Sequence, residues 1–156
     1  MWQQLIEVLN KICNAYKNLA ELGEKKRTAL VAVDMKALSK ILEQEKILTS
    51  EIQNFEKQRG ATVAELSKDK TFTDAENFYK TAPNSFVTKK LLEIHRQLSQ
   101  NVERTLQLRE NNQILAKTSL DNVTFKLNRI SGASVEPTYG TKGSIVTHQK
   151  NFDYKA

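Results

Sequence analysis

Apolar residues recur along the first fifth of the chain in alternating steps of three and four. The series is Trp2, Leu5, Leu9, Ile12, Tyr16, Leu19, Gly23, Lys26, Leu30 and Val33, and all but Gly23 and Lys26 are apolar. Such steps place successive residues on one face of an α-helix, so the pattern predicts a helix over about 2–33 with a narrow coiled-coil seam. Asp34, a residue type that caps helix N-termini, interrupts the series. A second series follows at once: Leu38, Ile41, Glu45, Leu48, Ile52, Phe55 and Arg59. It predicts a helix over about 35–66, since Gly60 weakens but does not end it. Almost no chain separates the two helices, and a short connection between long helices makes them antiparallel neighbours.

The two seams can be folded onto each other by pairing residues whose numbers sum to 71. Val33 then meets Leu38, Leu30 meets Ile41, Gly23 meets Leu48, Leu19 meets Ile52, Tyr16 meets Phe55 and Ile12 meets Arg59. The polar breaks Lys26 and Glu45 fall opposite each other with opposite charge. Agreement at every layer predicts an antiparallel hairpin in this register.

Ser67 to Thr73 reads as a loop. Thr73-Asp-Ala-Glu76 has the spacing of a capping box and predicts a short helix over about 74–81 that carries Phe78 and Tyr79. Pro83-Asn84-Ser85 punctuates the chain before a third long helix, about 86–130, which Gly132 is placed to stop. Its apolar stripe is Val87, Leu91, Ile94, Leu98, Val102 and Leu106, resuming at Ala116, Leu120, Val123, Leu127 and Ile130. Between the halves Arg109, Asn112 and Gln113 face the seam, and a register device, a kink or a solvated gap all fit such a patch. From residue 132 the period is lost. The expected organisation is a helical bundle over 1–131 and a flexible tail over 132–156.

Composition narrows this to an all-α fold: a long antiparallel coiled-coil hairpin with a third long helix and a mostly irregular C-terminal tail. Charged residues make up 27%, aromatics 7%, with five Gly and two Pro, which suits long helices over a sheet or barrel. The net charge of +6 is spread among interleaved acidic residues, so a solvated helix surface is favoured over a nucleic-acid footprint. A single cysteine, Cys13, flanks the first seam and cannot form an internal disulfide. The N-terminus is amphipathic from the start, without a signal-peptide pattern, and no stretch is apolar enough to span a bilayer. A cytoplasmic location and no membrane insertion are therefore expected.

Catalytic chemistry has little to stand on. His95 sits at the edge of the apolar stripe and His148 in the tail, and neither belongs to a zinc-ligand spacing or a phosphate loop. No cofactor, metal or catalytic residue is expected. Two features suggest binding instead. Ile114 and Phe125 lie nearly opposite the stripe of the third helix, where they would face solvent or a partner. The tail carries Tyr139-Gly-Thr-Lys-Gly143, readable either as a linear binding motif or as a turn, followed by Ile145-Val146.

Taken together these residues resemble the FlgN-type flagellar export chaperones. The likeness rests on Glu24-Lys25 and Leu30 before Asp34; on Leu38, Glu45, Glu56 and Arg59 in the second helix; on Asn112-Gln-Ile-Leu115 and the Leu120, Val123, Leu127 ladder; and on Tyr139 and Gly143. Residues 63–85 match least. The resemblance implies a cytoplasmic, non-enzymatic chaperone that binds the C-terminal helical part of the hook–filament junction proteins FlgK and FlgL. It also implies delivery to the export gate of the flagellar type III secretion apparatus. On this reading Ile114, Phe125, Ile145 and Val146 contact cargo, and Tyr139 contacts the gate. The alternative from the residues alone is a structural or adaptor coiled coil that self-associates as a homodimer. A basic helical nucleic-acid-binding protein ranks below it, and an enzyme last.

Overall fold

The computed structural model describes residues 1–68 and 70–132. These residues form α1 (Trp2–Ala32), α2 (Met35–Ser67), α3 (Ala75–Tyr79) and α4 (Ser85–Ser131), with no strand among them. The tail residues Pro137, Tyr139, Gly143, Ile145, Val146 and His148 lie outside the described residues.

The turn between α1 and α2 is two residues long. Val33 takes the left-handed conformation, with φ 53°, and its N–H donates to the Leu30 carbonyl at 3.3 Å. The Asp34 N–H donates to the Ala29 carbonyl at 2.9 Å, completing a Schellman closure. The Asp34 carboxylate then accepts from the Ala37 N–H at 3.0 Å and starts α2. Val33 is therefore not a seam residue opposite Leu38. It closes the hairpin tip and stands 63% exposed.

Within the hairpin, the Lys26 Nζ lies 3.1 Å from Glu45 Oε2, as the pairing of the two seams requires. Leu22, Ala29 and Ile41 form a buried cluster here, with Leu38 and Leu48 packed against it. At the layer read as Gly23 against Leu48, α4 also takes part. Leu22 joins the Leu48 cluster, while a side-chain carbon at Gly23 would meet Leu108 of α4 at 3.3 Å. Glycine there lets α4 approach α1 closely.

The opposite end of the molecule is thicker. Leu5, Ile6 and Leu9 of α1, Phe78 and Tyr79 of α3, and Leu91 and Ile94 of α4 make one buried cluster. Trp2 and Phe72 close on Phe78 with ring centroids at 5.3 and 5.2 Å. The segment that matched least in sequence thus supplies much of the core. Its helix is capped one residue later than the capping-box spacing suggests: Asp74, not Thr73, accepts from the Asn77 N–H at 2.7 Å. The aspartate carboxylate is the stronger acceptor for a backbone N–H, and the Thr73 hydroxyl bonds the Asn77 side chain instead. The Tyr79 hydroxyl sits 3.3 Å from His95 Nδ1, and burial raises its pKa against the opposing pull of the Arg59 charge.

Asn84 caps α4 through the Val87 N–H at 2.9 Å, and Gly132 ends it at φ 68°. The helix runs parallel to α1. The Asn101 side chain donates to the Cys13 carbonyl at 3.2 Å, Thr105 to the Tyr16 carbonyl at 3.2 Å, and Asn112 to the Gly23 carbonyl at 2.9 Å. Carried forward, the offset between Gly23 and Asn112 sets the last residue of α1 beside Asp121. Residues 122–131 therefore run on past the hairpin tip by about 15 Å at 1.5 Å per residue. Both α2 and α4 pack along α1 and not along each other, so α1 is the central helix.

Candidate functional site

Which face α4 turns to α1 decides what is left for a partner. Through Leu91, Ile94 and Leu98 the helix uses the apolar stripe read from the sequence. Beyond Leu98 it does not. The residues turned to α1 are then Asn101, Thr105, Leu108 and Asn112, and three of these four hold α1 backbone carbonyls rather than side chains. This series keeps the steps of four and three, so it is a genuine helical seam.

The apolar series lies one residue further on at each step: Val102, Leu106, Arg109, Gln113, Ala116, Leu120, Val123, Leu127 and Ile130. A shift of one residue rotates a helical position by about 100°, so these side chains form a second seam beside the first. They are not spent on α1. Leu106 is 56% exposed, Val123 51% and Ile130 83%. Side-chain amides and a hydroxyl that can reach α1 carbonyls win the contact, because they satisfy hydrogen bonds at a close approach that Gly23 permits.

The second seam borders a cleft of ≈ 450 Å³ above α1, between α2 and α4. Its floor is Leu19, Gly23 and Lys26, its α2 wall Glu45 and Thr49, and its α4 wall Thr105, Arg109, Asn112, Gln113 and Ala116. Asn112 is 3% exposed. Its Nδ2 donates to the Gly23 carbonyl, while its Oδ1 is enclosed and meets no hydrogen-bond donor among the described residues. Such an orphaned acceptor costs about 1–3 kcal/mol until a donor reaches it. Arg109 makes no ion pair among the described residues.

Ile114 and Phe125 stand 57% and 59% exposed, on the face of α4 away from this seam. The Arg129 guanidinium lies 5.9 Å from the Phe125 ring centroid. Ile145, Val146 and Tyr139 fall outside the described residues, so the structure does not join them to these two. Cys13 is buried, with Asn101 Nδ2 3.3 Å from its Sγ. Sequence reasoning placed Arg109 and Gln113 in a seam patch but missed the open seam they interrupt. The signal was present as two three-and-four series one residue apart.

The described residues thus form a helical hairpin with a long third helix whose apolar seam stays exposed, and they contain no helix long and apolar enough to cross a membrane. Residues 1–147 match the family described as FlgN protein, and the chain belongs to that family, one of flagellar chaperones. No curated protein and no solved structure matches the chain.

Proposed function

We propose that this protein is a cytoplasmic, non-enzymatic chaperone of flagellar type III export. Its cargo on this reading is the C-terminal helical part of the hook–filament junction proteins FlgK and FlgL, which it delivers to the export gate. The single observation that carries the reading is the apolar surface of α4 beyond Leu98, which α1 leaves uncovered. Exposed apolar side chains arrayed along one helix suit the capture of another amphipathic helix, read at helical spacing. Family membership supports the same reading.

The test is binding of purified full-length chain to C-terminal fragments of the junction proteins encoded by the same genome. A chaperone of this cargo binds them as a stoichiometric complex, and absence of any complex would sink the reading. The Ile114/Phe125 face is tested with the double substitution Ile114→Gln, Phe125→Gln. Both residues are exposed, so helicity and melting should hardly change while cargo affinity falls by about tenfold. A sharp drop in melting temperature would mean that these side chains hold the fold instead. Self-association through the open seam is the second reading, and it predicts a dimer that forms with rising concentration in the absence of cargo.

A further inference from the structure

The enclosed face of α4 changes where the hairpin ends. Up to Asn112 the side turned to α1 follows steps of four and three through Asn101, Thr105 and Leu108. Continued past the hairpin tip, those steps reach Asn122, Lys126 and Arg129, and all are exposed, as befits a helix that has outrun its neighbour. Thr124, however, is only 4% exposed. At 100° per residue it points about 120° round the helix from Asn112. Asp121, Leu127, Asn128 and Ser131 fall on the same side as Thr124, and each is half-buried. One carboxylate oxygen of Asp121 and the Oδ1 of Asn128 are fully enclosed. These side chains make a covered strip, with exposed Val123 and Phe125 on either side of it.

No described element supplies that cover. The offset between α1 and α4 ends α1 at the level of Asp121, on the other side of α4. Asn128 lies about 10 Å beyond that level. Val33 and Met35 at the tip are 63% and 68% exposed, so they are not pressed against α4. The helix α2 packs along α1, and α3 sits at the opposite end with Leu91 and Ile94. Nor does α4 enclose a threonine alone, since Thr118 on the same helix is exposed.

The chain that follows α4 is placed to reach the strip. Gly132 ends the helix at φ 68°, a left-handed residue that turns the chain off the helix axis. From there back to Asp121 is about 17 Å of helix, a distance that extended chain covers in about five residues. The next residues are Ala133-Ser-Val-Glu-Pro-Thr138, in which Ala133, Val135 and Pro137 alternate with polar side chains. Extended chain puts those three on one side. Such a side suits the strip, because the Thr124 hydroxyl already donates to the Leu120 carbonyl at 3.0 Å and leaves its methyl, beside Leu127, to be covered.

We infer that residues 133–138 fold back antiparallel to α4 and cover the strip from Ser131 to Asp121 with Val135 and Pro137. This goes beyond the chaperone reading and does not depend on it. It brings Tyr139 back to the level of the hairpin tip instead of leaving it at the end of a free arm.

The experiment reads thiol alkylation by iodoacetamide in full-length chain, with each modified site mapped by mass. Native Cys13 is buried and marks a folded chain. Thr124→Cys should react about tenfold or more slowly than Lys126→Cys. Asn128→Cys repeats the comparison at a second position of the strip. Adding Val135→Asp should bring Thr124→Cys to within about threefold of Lys126→Cys while Cys13 stays unreactive. If Thr124→Cys and Asn128→Cys react as fast as Lys126→Cys in the otherwise unchanged chain, the strip is bare and the inference is overturned. It is equally overturned if both stay slow beside Val135→Asp, since another segment then covers them. Protection that is lost on dilution would mark a second copy of the chain as the cover, and would overturn it too.

Discussion

Val33 carries a β-branched side chain at a backbone position that favours glycine. Its φ of 53° is imposed by the two-residue turn, whose Schellman hydrogen bonds need the left-handed conformation there. A non-glycine residue in that region gives up about 1–2 kcal/mol, and the Val33 side chain recovers little of it by burial, being 63% exposed. Val33→Gly should therefore stabilise the protein by about 1 kcal/mol, after the greater unfolded-state freedom of glycine is subtracted. A urea titration would show this as a higher midpoint with an unchanged slope, and a lower midpoint would mean that Val33 makes a contact worth more than its strain. Asn112 is the second residue whose role came only with the fold. In sequence it was one of three polar residues in a seam patch. In the structure one end of its amide ties α4 to α1 through the Gly23 carbonyl, and the other end is enclosed without a donor among the described residues. Nothing local to Asn112 separates those two ends.

At the scale of elements, the hairpin was legible because its two seams test each other. Lys26 and Glu45 are each weak signals alone, but a shared register sets them at one layer, and they meet at 3.1 Å with their side chains about a quarter exposed. Reversing either charge alone places like charges together in a partly enclosed seam, whereas exchanging both restores the pair. The single variants should each lose roughly 1–2 kcal/mol and the double variant should recover most of that, as measured by chemical denaturation. An additive double variant would show that the two groups do not interact in solution. The third long helix was legible in extent but not in orientation. It carries two three-and-four series one residue apart, and hydrophobicity alone selects the wrong one beyond Leu98. The chosen series wins through Asn101, Thr105 and Asn112, whose hydrogen bonds end on backbone carbonyls of α1. Main-chain acceptors have no sequence signature, which is why pattern reading could not see them.

At the scale of the whole molecule, the main core and the exposed apolar residues of α4 lie towards different ends. The thick end is closed by α3 and its aromatic rings, with Leu5, Leu9 and Leu91 almost fully buried. The hairpin tip and the end of α4 carry exposed Val31, Met35, Val123 and Ile130. Substitutions at the thin end should therefore change partner affinity before they change melting. The proposed gate contact belongs to this scale. Tyr139→Ala should leave the melting temperature and cargo affinity within error, and weaken co-purification with the cytoplasmic part of the export gate by about tenfold. Should it lower the melting temperature instead, Tyr139 serves the bundle rather than delivery.

By itself the sequence determined the helices, the cap at Asp34, the stop at Gly132 and the register of the hairpin. Each of these depends on spacing, on φ preference or on charges a few turns apart, and all three are written along the chain. Only the tertiary structure decided that α1 is the central helix, that Phe72 and Phe78 belong to the main core, and that Gly23 gives α4 its close approach. It also decided that the apolar seam of α4 remains open. Those outcomes depend on how closely two backbones approach and on which carbonyls a side chain can reach across about ninety residues of chain. Periodicity records which face of a helix is apolar, but not which neighbour arrives first or what hydrogen bonds it offers.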